Sequence, residues 1–214
     1  MSRLFAALLI SAATISPIAA HAFGIPGIPG TGGKSDNAGT PDLSGAQDQL
    51  VKQYVAAGKS VLEGNSKMAD AVGLVKEAAA ARAAGDALTD GATKGALSDA
   101  DKTNSETNDA VAAALKNTDK LDGPAKEKFA AGILSLAQGL GKYIGMTSSF
   151  ASFQKSLSSA SPMMLPKLQS GAYIATSLPA SVKNLSAALS NAISYAKSHD
   201  ISVPKDATDA LAKL

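Results

Sequence analysis

The chain has 214 residues, 45% hydrophobic but only 4% aromatic, with neither Trp nor Cys. Lack of Cys excludes disulfides, thiolate metal sites and cysteine nucleophiles, so packing alone must hold the fold. With 20 basic against 18 acidic residues the balance is near neutral, which argues against nucleic acid, whose binders gather Lys and Arg on one face.

The first 22 residues, "MSRLFAALLISAATISPIAAHA", combine a basic start at Arg3, an apolar run to about Ile15 and the small pair Ala20 and Ala22. This is the pattern of a signal peptide cleaved between Ala22 and Phe23. A membrane anchor needs about 20 unbroken apolar residues, and Ser11, Thr14, Ser16 and Pro17 interrupt this one. No Cys follows the junction, so it is not a lipoprotein site. Cleavage removes Arg3 and His21, leaving 19 basic against 18 acidic residues, a charge of +1, and a single histidine, His199. The expected location is periplasmic or secreted, with no transmembrane span after cleavage.

Residues 23–41 are rich in Gly and Pro and read as a flexible leader. Their "GTGGKS" resembles the end of a phosphate-binding loop. The first glycine of G-x-x-x-x-G-K-[ST] falls on Ile28, and no strand precedes it, so a nucleotide site is not read here.

Order is expected from Asp42 and Ser44, where Ser44 and Gln47 form a capping box. Leu50, Tyr54, Ala57, Val61, Met68, Val72, Val75 and Ala79 keep a 3–4 spacing, which predicts one amphipathic helix over 44–84 with a weak point at Gly64 and an end near Gly85. Residues 86–109, with only Leu88 and Leu97 as large apolar side chains, read as a mobile polar connector or marginal helix. Helicity resumes at 110–117 and stops at Asp122, Gly123 and Pro124.

Residues 124–159 carry the strongest pattern and are expected as the central helix, with Phe129, Ile133, Leu136, Leu140, Tyr143, Phe150 and Leu157 on one side. Gly141, Gly145, Ser148 and Ser152 gather on another, where small side chains admit a neighbouring helix. Pro162 and Pro166 break the chain at "PMMLP". A last long stripe runs from Ile174 through Leu178, Val182, Leu185, Leu189 and Ala192 to Ala196, with Pro179 as a kink or a split. Pro204 opens a short C-terminal helix. The predicted fold is all-α: about four long amphipathic helices in a bundle plus a short C-terminal helix, forming one domain over 42–214.

Candidate chemistry is sparse. Residues 152–155 spell S-x-x-K and 35–37 spell SDN, but in the reverse of the order used by penicillin-interacting serine enzymes, and no Lys-Thr-Gly follows. Asp99, Asp101 and Thr103 match the start of a calcium loop, but Asn104 replaces its glycine and Ala110 its bidentate Glu. His199 beside Asp200 reads as a favourable charge at a helix C-terminus. No cofactor, metal set or catalytic set is read.

What remains is binding. Met146, Phe150, Phe153, Met163, Met164, Leu165 and Tyr173 are expected to line an apolar pocket, since methionines in a loop suit an adaptable site. The expected function is therefore an exported, non-enzymatic helical protein holding an apolar small molecule or lipid. The alternative is a structural protein that self-associates or pairs with an envelope partner.

Overall fold

The structure is a computed structural model describing residues 42–214. The expected signal peptide, its cleavage site and the Gly/Pro-rich leader lie outside the described residues. Within them every regular element is helical: α1 (Leu43–Ala71), α2 (Val75–Ala87), α3 (Lys94–Leu115), α4 (Gly123–Gly145), α5 (Thr147–Ser158), a 3-10 turn (Leu165–Lys167), α6 (Gln169–Ser198) and α7 (Lys205–Leu211). The all-α expectation holds.

The N-cap of α1 is Asp42, not the expected Ser44: its Oδ1 accepts from the Gly45 amide at 3.0 Å, satisfying one of the free amides of the first turn. Gln47, freed from a capping role, reaches across to α6. Its Nε2 donates to the Lys167 carbonyl and its Oε1 accepts from the Gly171 amide.

The single helix expected over 44–84 is two. The break lies at Gly73, whose φ of 80° is open to glycine at little steric cost. Gly73 N–H donates to the Asp70 carbonyl and Leu74 N–H to that of Ala69, the paired bonds of a Schellman terminus. The apolar stripe breaks with it. Val75 stands 67% exposed, and α2 buries Ala78 and Ala81 instead.

Gly64 is no weak point. It is buried where α1 crosses α4, and a Cβ there would lie 2.8 Å from the Gly132 carbonyl oxygen. A Cβ on Gly132 would lie 2.9 Å from the Gly64 carbonyl oxygen. The two glycines let the backbones nearly touch. The central helix is accordingly α1, not the expected 124–159 segment, because α1 packs against α2, α3, α4, α5 and α6.

The expected 124–159 helix also divides, at Met146, into α4 and α5. Asp122 caps α4 by accepting from the Ala125 amide, with Pro124 in the first turn. Phe129, Ile133, Leu136, Leu140 and Tyr143 are buried as expected. Much of the expected polar connector is helix α3, capped by Thr93. It buries Leu97, Ala100, Asn104, Thr107 and Val111, a 3–4 stripe built from small and polar side chains.

Pro179 lies inside an unbroken α6. The end of α6 repeats the Schellman pattern, with Ile201 N–H donating to the Ala196 carbonyl, but the left-handed position falls on Asp200, at φ 54°. Lys126 of α4 donates to the His199 carbonyl at 2.7 Å, placing positive charge at the helix C-terminus. Replacing Asp200 by Gly relieves the steric cost of the left-handed backbone. Asp200→Gly is expected to raise stability by about 0.5–1 kcal/mol, read as a higher midpoint in urea melts with an unchanged slope.

Candidate functional site

The residues expected to form an apolar pocket do not come together as one. Met146 and Phe153 are core residues, each 1% exposed. Phe150 and Met164 are half-buried against the core. Met163 is 86% exposed and Leu165 48%, because the turns around Pro162 and Pro166 carry them off the surface of the helices. The break at Met146 redirects α5 so that the Phe153 ring lies against Gly171 of α6, filling the space the pocket required. Tyr173 belongs to a different cavity.

The expected packing face is corrected as well. Gly141 and Gly145 have open space where a Cβ would stand, and the close approach falls instead on Gly132 and Gly139. At about 100° per residue, Gly132 and Gly139 lie beside the bulky stripe while Gly141 and Gly145 lie opposite it. Ser148 and Ser152 are exposed and line a shallow serine-rich depression beside Asp42 and Gln49.

The cavity holding Tyr173 is a cleft of about 330 Å³ between α3 and α6, with Val61 of α1 and Tyr143 of α4 also in its lining. Its chemistry centres on Asp101. Four helices converge there: Tyr54 comes from α1, Asp101 from α3, Tyr143 from α4, and Tyr173 and Ser181 from α6. Three of the chain's four tyrosines therefore surround one carboxylate.

The geometry is specific. Tyr54 donates to Asp101 Oδ2 at 2.6 Å and Tyr173 donates to the same oxygen at 2.7 Å. Ser181 Oγ lies 3.0 Å from the Tyr54 hydroxyl and donates to the Ser177 carbonyl at 3.1 Å. The Tyr54 and Tyr143 rings tilt against each other at 5.1 Å. Beside the cleft, fully buried Asn65 donates to Asn104 Oδ1 at 3.1 Å, fixing one polar lining residue from behind.

Burial pushes the Asp101 carboxyl above its ordinary range, opposed by the hydrogen bonds from Tyr54 and Tyr173. Burial likewise raises Tyr54, Tyr143 and Tyr173, with the neighbouring Asp101 adding to each. All three phenols are thus held protonated. None of the ion pairs among the described residues involves Asp101, so hydroxyl donors alone stabilise its charge.

Comparison with family models, characterised proteins and solved structures returns no match. The cleft must be read from its own residues.

Sequence reasoning reached Asp101 for the wrong reason. As the third position of a calcium loop it required an irregular backbone, but it sits in α3, where Asp99 and Thr103 share one face and Asp101 lies on the opposite side. Asp99 is exposed while Asp101 turns inward. Among the described residues no group of acidic or His side chains is placed to hold a metal, and no helix is long and apolar enough to cross a membrane. His199 stacks on Tyr195 at 3.9 Å with Nδ1 2.8 Å from the Tyr195 carbonyl oxygen, away from the cleft lining.

The missed residues had a sequence signal. Asn104, Ser105 and Asn108 on α3 continue the 3–4 spacing from Asp101, and Ser177, Ser181 and Asn184 on α6 continue it from Tyr173, as at a helix interface. Their polarity disguised them as solvent-facing.

Proposed function

We propose that the chain is an exported, non-enzymatic helical-bundle protein that binds a small polar molecule in the cleft between α3 and α6. The observation that carries this reading is the half-buried Asp101 carboxylate, held by two phenol donors at the meeting of four helices. Burying a charge without a cationic partner is costly, and such a group in a cleft is a candidate for ligand recognition. The cleft lining favours a polar ligand over the lipid or apolar molecule expected from sequence, since seven of its thirteen residues are Asn, Ser or Thr and an eighth is Asp101.

Ligand-observed NMR with a library of small polar molecules tests this. Ser105 is exposed and lines the cleft, so Ser105→Trp fills the opening without entering the core. Library members are expected to bind the wild type and to lose that signal with Ser105→Trp. Absence of binders, or binders indifferent to the variant, sinks the reading.

The alternative, a structural protein that pairs with copies of itself or with an envelope partner, draws support from exposed Met163 and Leu165 between α5 and α6. Light scattering across a concentration series tests its self-association form, which a strict monomer would exclude.

A further inference from the structure

The cleft beside Asp101 adjoins two further cavities along the α3–α6 seam. Asn108 and Asn184 line both the first and the second, and Asn108, Ala188 and Asn191 line both the second and the third. The first two form a track along α3 from Asp101 to Ala112, about 17 Å of helix rise, and the third, about 20 Å³, has room for no more than a water.

The charge along this track is one-sided. Asp101 lines its first part and Asp109 its second, and among the described residues no Lys, Arg or His lines any of the three cavities. In a chain of near-neutral total charge, two carboxylates and no basic side chain of the described residues in this lining make a local anionic field. The hydrogen-bonding character matches. Both phenols bond to Asp101 Oδ2, and no hydrogen bond among the described residues uses Oδ1. Asn108 Oδ1, itself shielded from the cavity, is a second acceptor without a partner. A carboxylate with no cation beside it suits a cationic ligand, and an ammonium group brings three donors and the compensating charge. Tyr173, half-buried in the same lining, adds an aromatic ring beside Asp101 that a cation can approach.

The spacing adds a second requirement. Asp101 and Asp109 are eight residues apart on α3, about 12 Å of rise, and the seam between them carries Asn, Ser and Ala side chains. A linear aliphatic chain with an amine at each end has this form.

From these observations we infer that the cleft binds a linear aliphatic diamine or polyamine, one ammonium on Asp101 and another toward Asp109. This rests on the binding reading above and names the ligand class of that site.

The test is calorimetric titration of the full-length mature protein with 1,8-diaminooctane, and with 1,8-octanediol as the uncharged chain of matched length. The diamine is expected to bind at least tenfold tighter than the diol. Asp101→Asn, which keeps the shape and an acceptor oxygen, is expected to weaken the diamine at least tenfold. Asp109→Asn, at an exposed and solvent-screened position, is expected to weaken it severalfold, with added salt eroding the same increment. Equal affinity for diol and diamine, or full affinity in a folded Asp101→Asn, overturns the amine assignment while leaving polar binding in the cleft standing. Failure of both probes in a wild-type protein whose cleft binds other library members overturns the amine assignment alone; with no binder at all, both readings fall.

Discussion

Gly132→Ala is expected to destabilise the protein by about 1–3 kcal/mol, a magnitude usual for overpacking a close-packed interior. The added Cβ would lie 2.5 Å from Met68 Cγ, 2.9 Å from the Gly64 carbonyl oxygen and 3.2 Å from the Met68 amide nitrogen. Two of those three atoms are backbone of the central helix, and buried Met68 has only a cavity of about 20 Å³ beside it. The helices must therefore separate. Alanine favours the helix over glycine by about 1 kcal/mol, which offsets part of the loss without reversing it, because separating α1 from α4 loosens the whole face around Ile133 and Leu136.

Gly141→Ala on the same helix is expected to act in the opposite direction. Nothing lies within 4 Å of a Cβ there, so only the propensity gain of about 0.5–1 kcal/mol remains. At about 2–4 °C per kcal/mol for a domain of this size, thermal melts will separate the pair clearly. Equal shifts of the two variants would show that α1 and α4 do not cross at Gly64 and Gly132.

These glycines also show where the sequence was legible and where it was not. The bulky stripes of α1, α4 and α6 were readable because a large apolar side chain states its own burial. From Leu50 to Met68 and from Ile174 to Ala196 the expected residues face the core. A glycine states nothing by itself. Gly141 and Gly145 drew attention through their four-residue spacing, while Gly132 and Gly139 mattered because they flank the stripe that α1 covers. Spacing identified a motif, and position relative to the bulky face decided the contact.

Helix α3 was obscured for a related reason. Its buried side is Leu97, Ala100, Asn104, Thr107 and Val111, which keeps the helical period with almost no hydrophobic contrast. The breaks at Gly73 and Met146 were hidden because apolar residues continue in phase across both. The site followed from these errors: with α3 read as a connector, nothing in the sequence brought Asp101 to three tyrosines from three other helices.

Asp101→Asn is expected to make the protein more stable at neutral pH, and Asp101→Ala less stable. The carboxyl is pushed upward by burial from its ordinary value of 3.8, so the folded state prefers it protonated. A group with a raised folded pKa contributes stability in full below its unfolded pKa and loses it as the pH rises through the folded value. Wild type is therefore expected to lose stability, relative to Asp101→Asn, from about pH 4 upward, and the loss is complete once Asp101 is ionised. Asn carries no charge to bury and still offers an oxygen to Tyr54 and Tyr173. Asp70, held below the ordinary carboxylate range by its bond to Arg82, gives the opposite slope, but in both proteins, and cancels in the difference. Alanine removes the acceptor as well as the charge, leaving Tyr54 and Tyr173 without the oxygen they share, at a cost of about 1–3 kcal/mol. Thermal melts of the three proteins between pH 3 and 8 check the order (on an axis set roughly by carboxylate titration). If Asp101→Asn is the less stable protein at every pH, the carboxylate is a structural strut and the binding reading loses its main support. If it is the more stable protein and has lost amine binding, the fold sacrifices stability to keep a charge in the cleft, which is the pattern of a residue retained for a ligand.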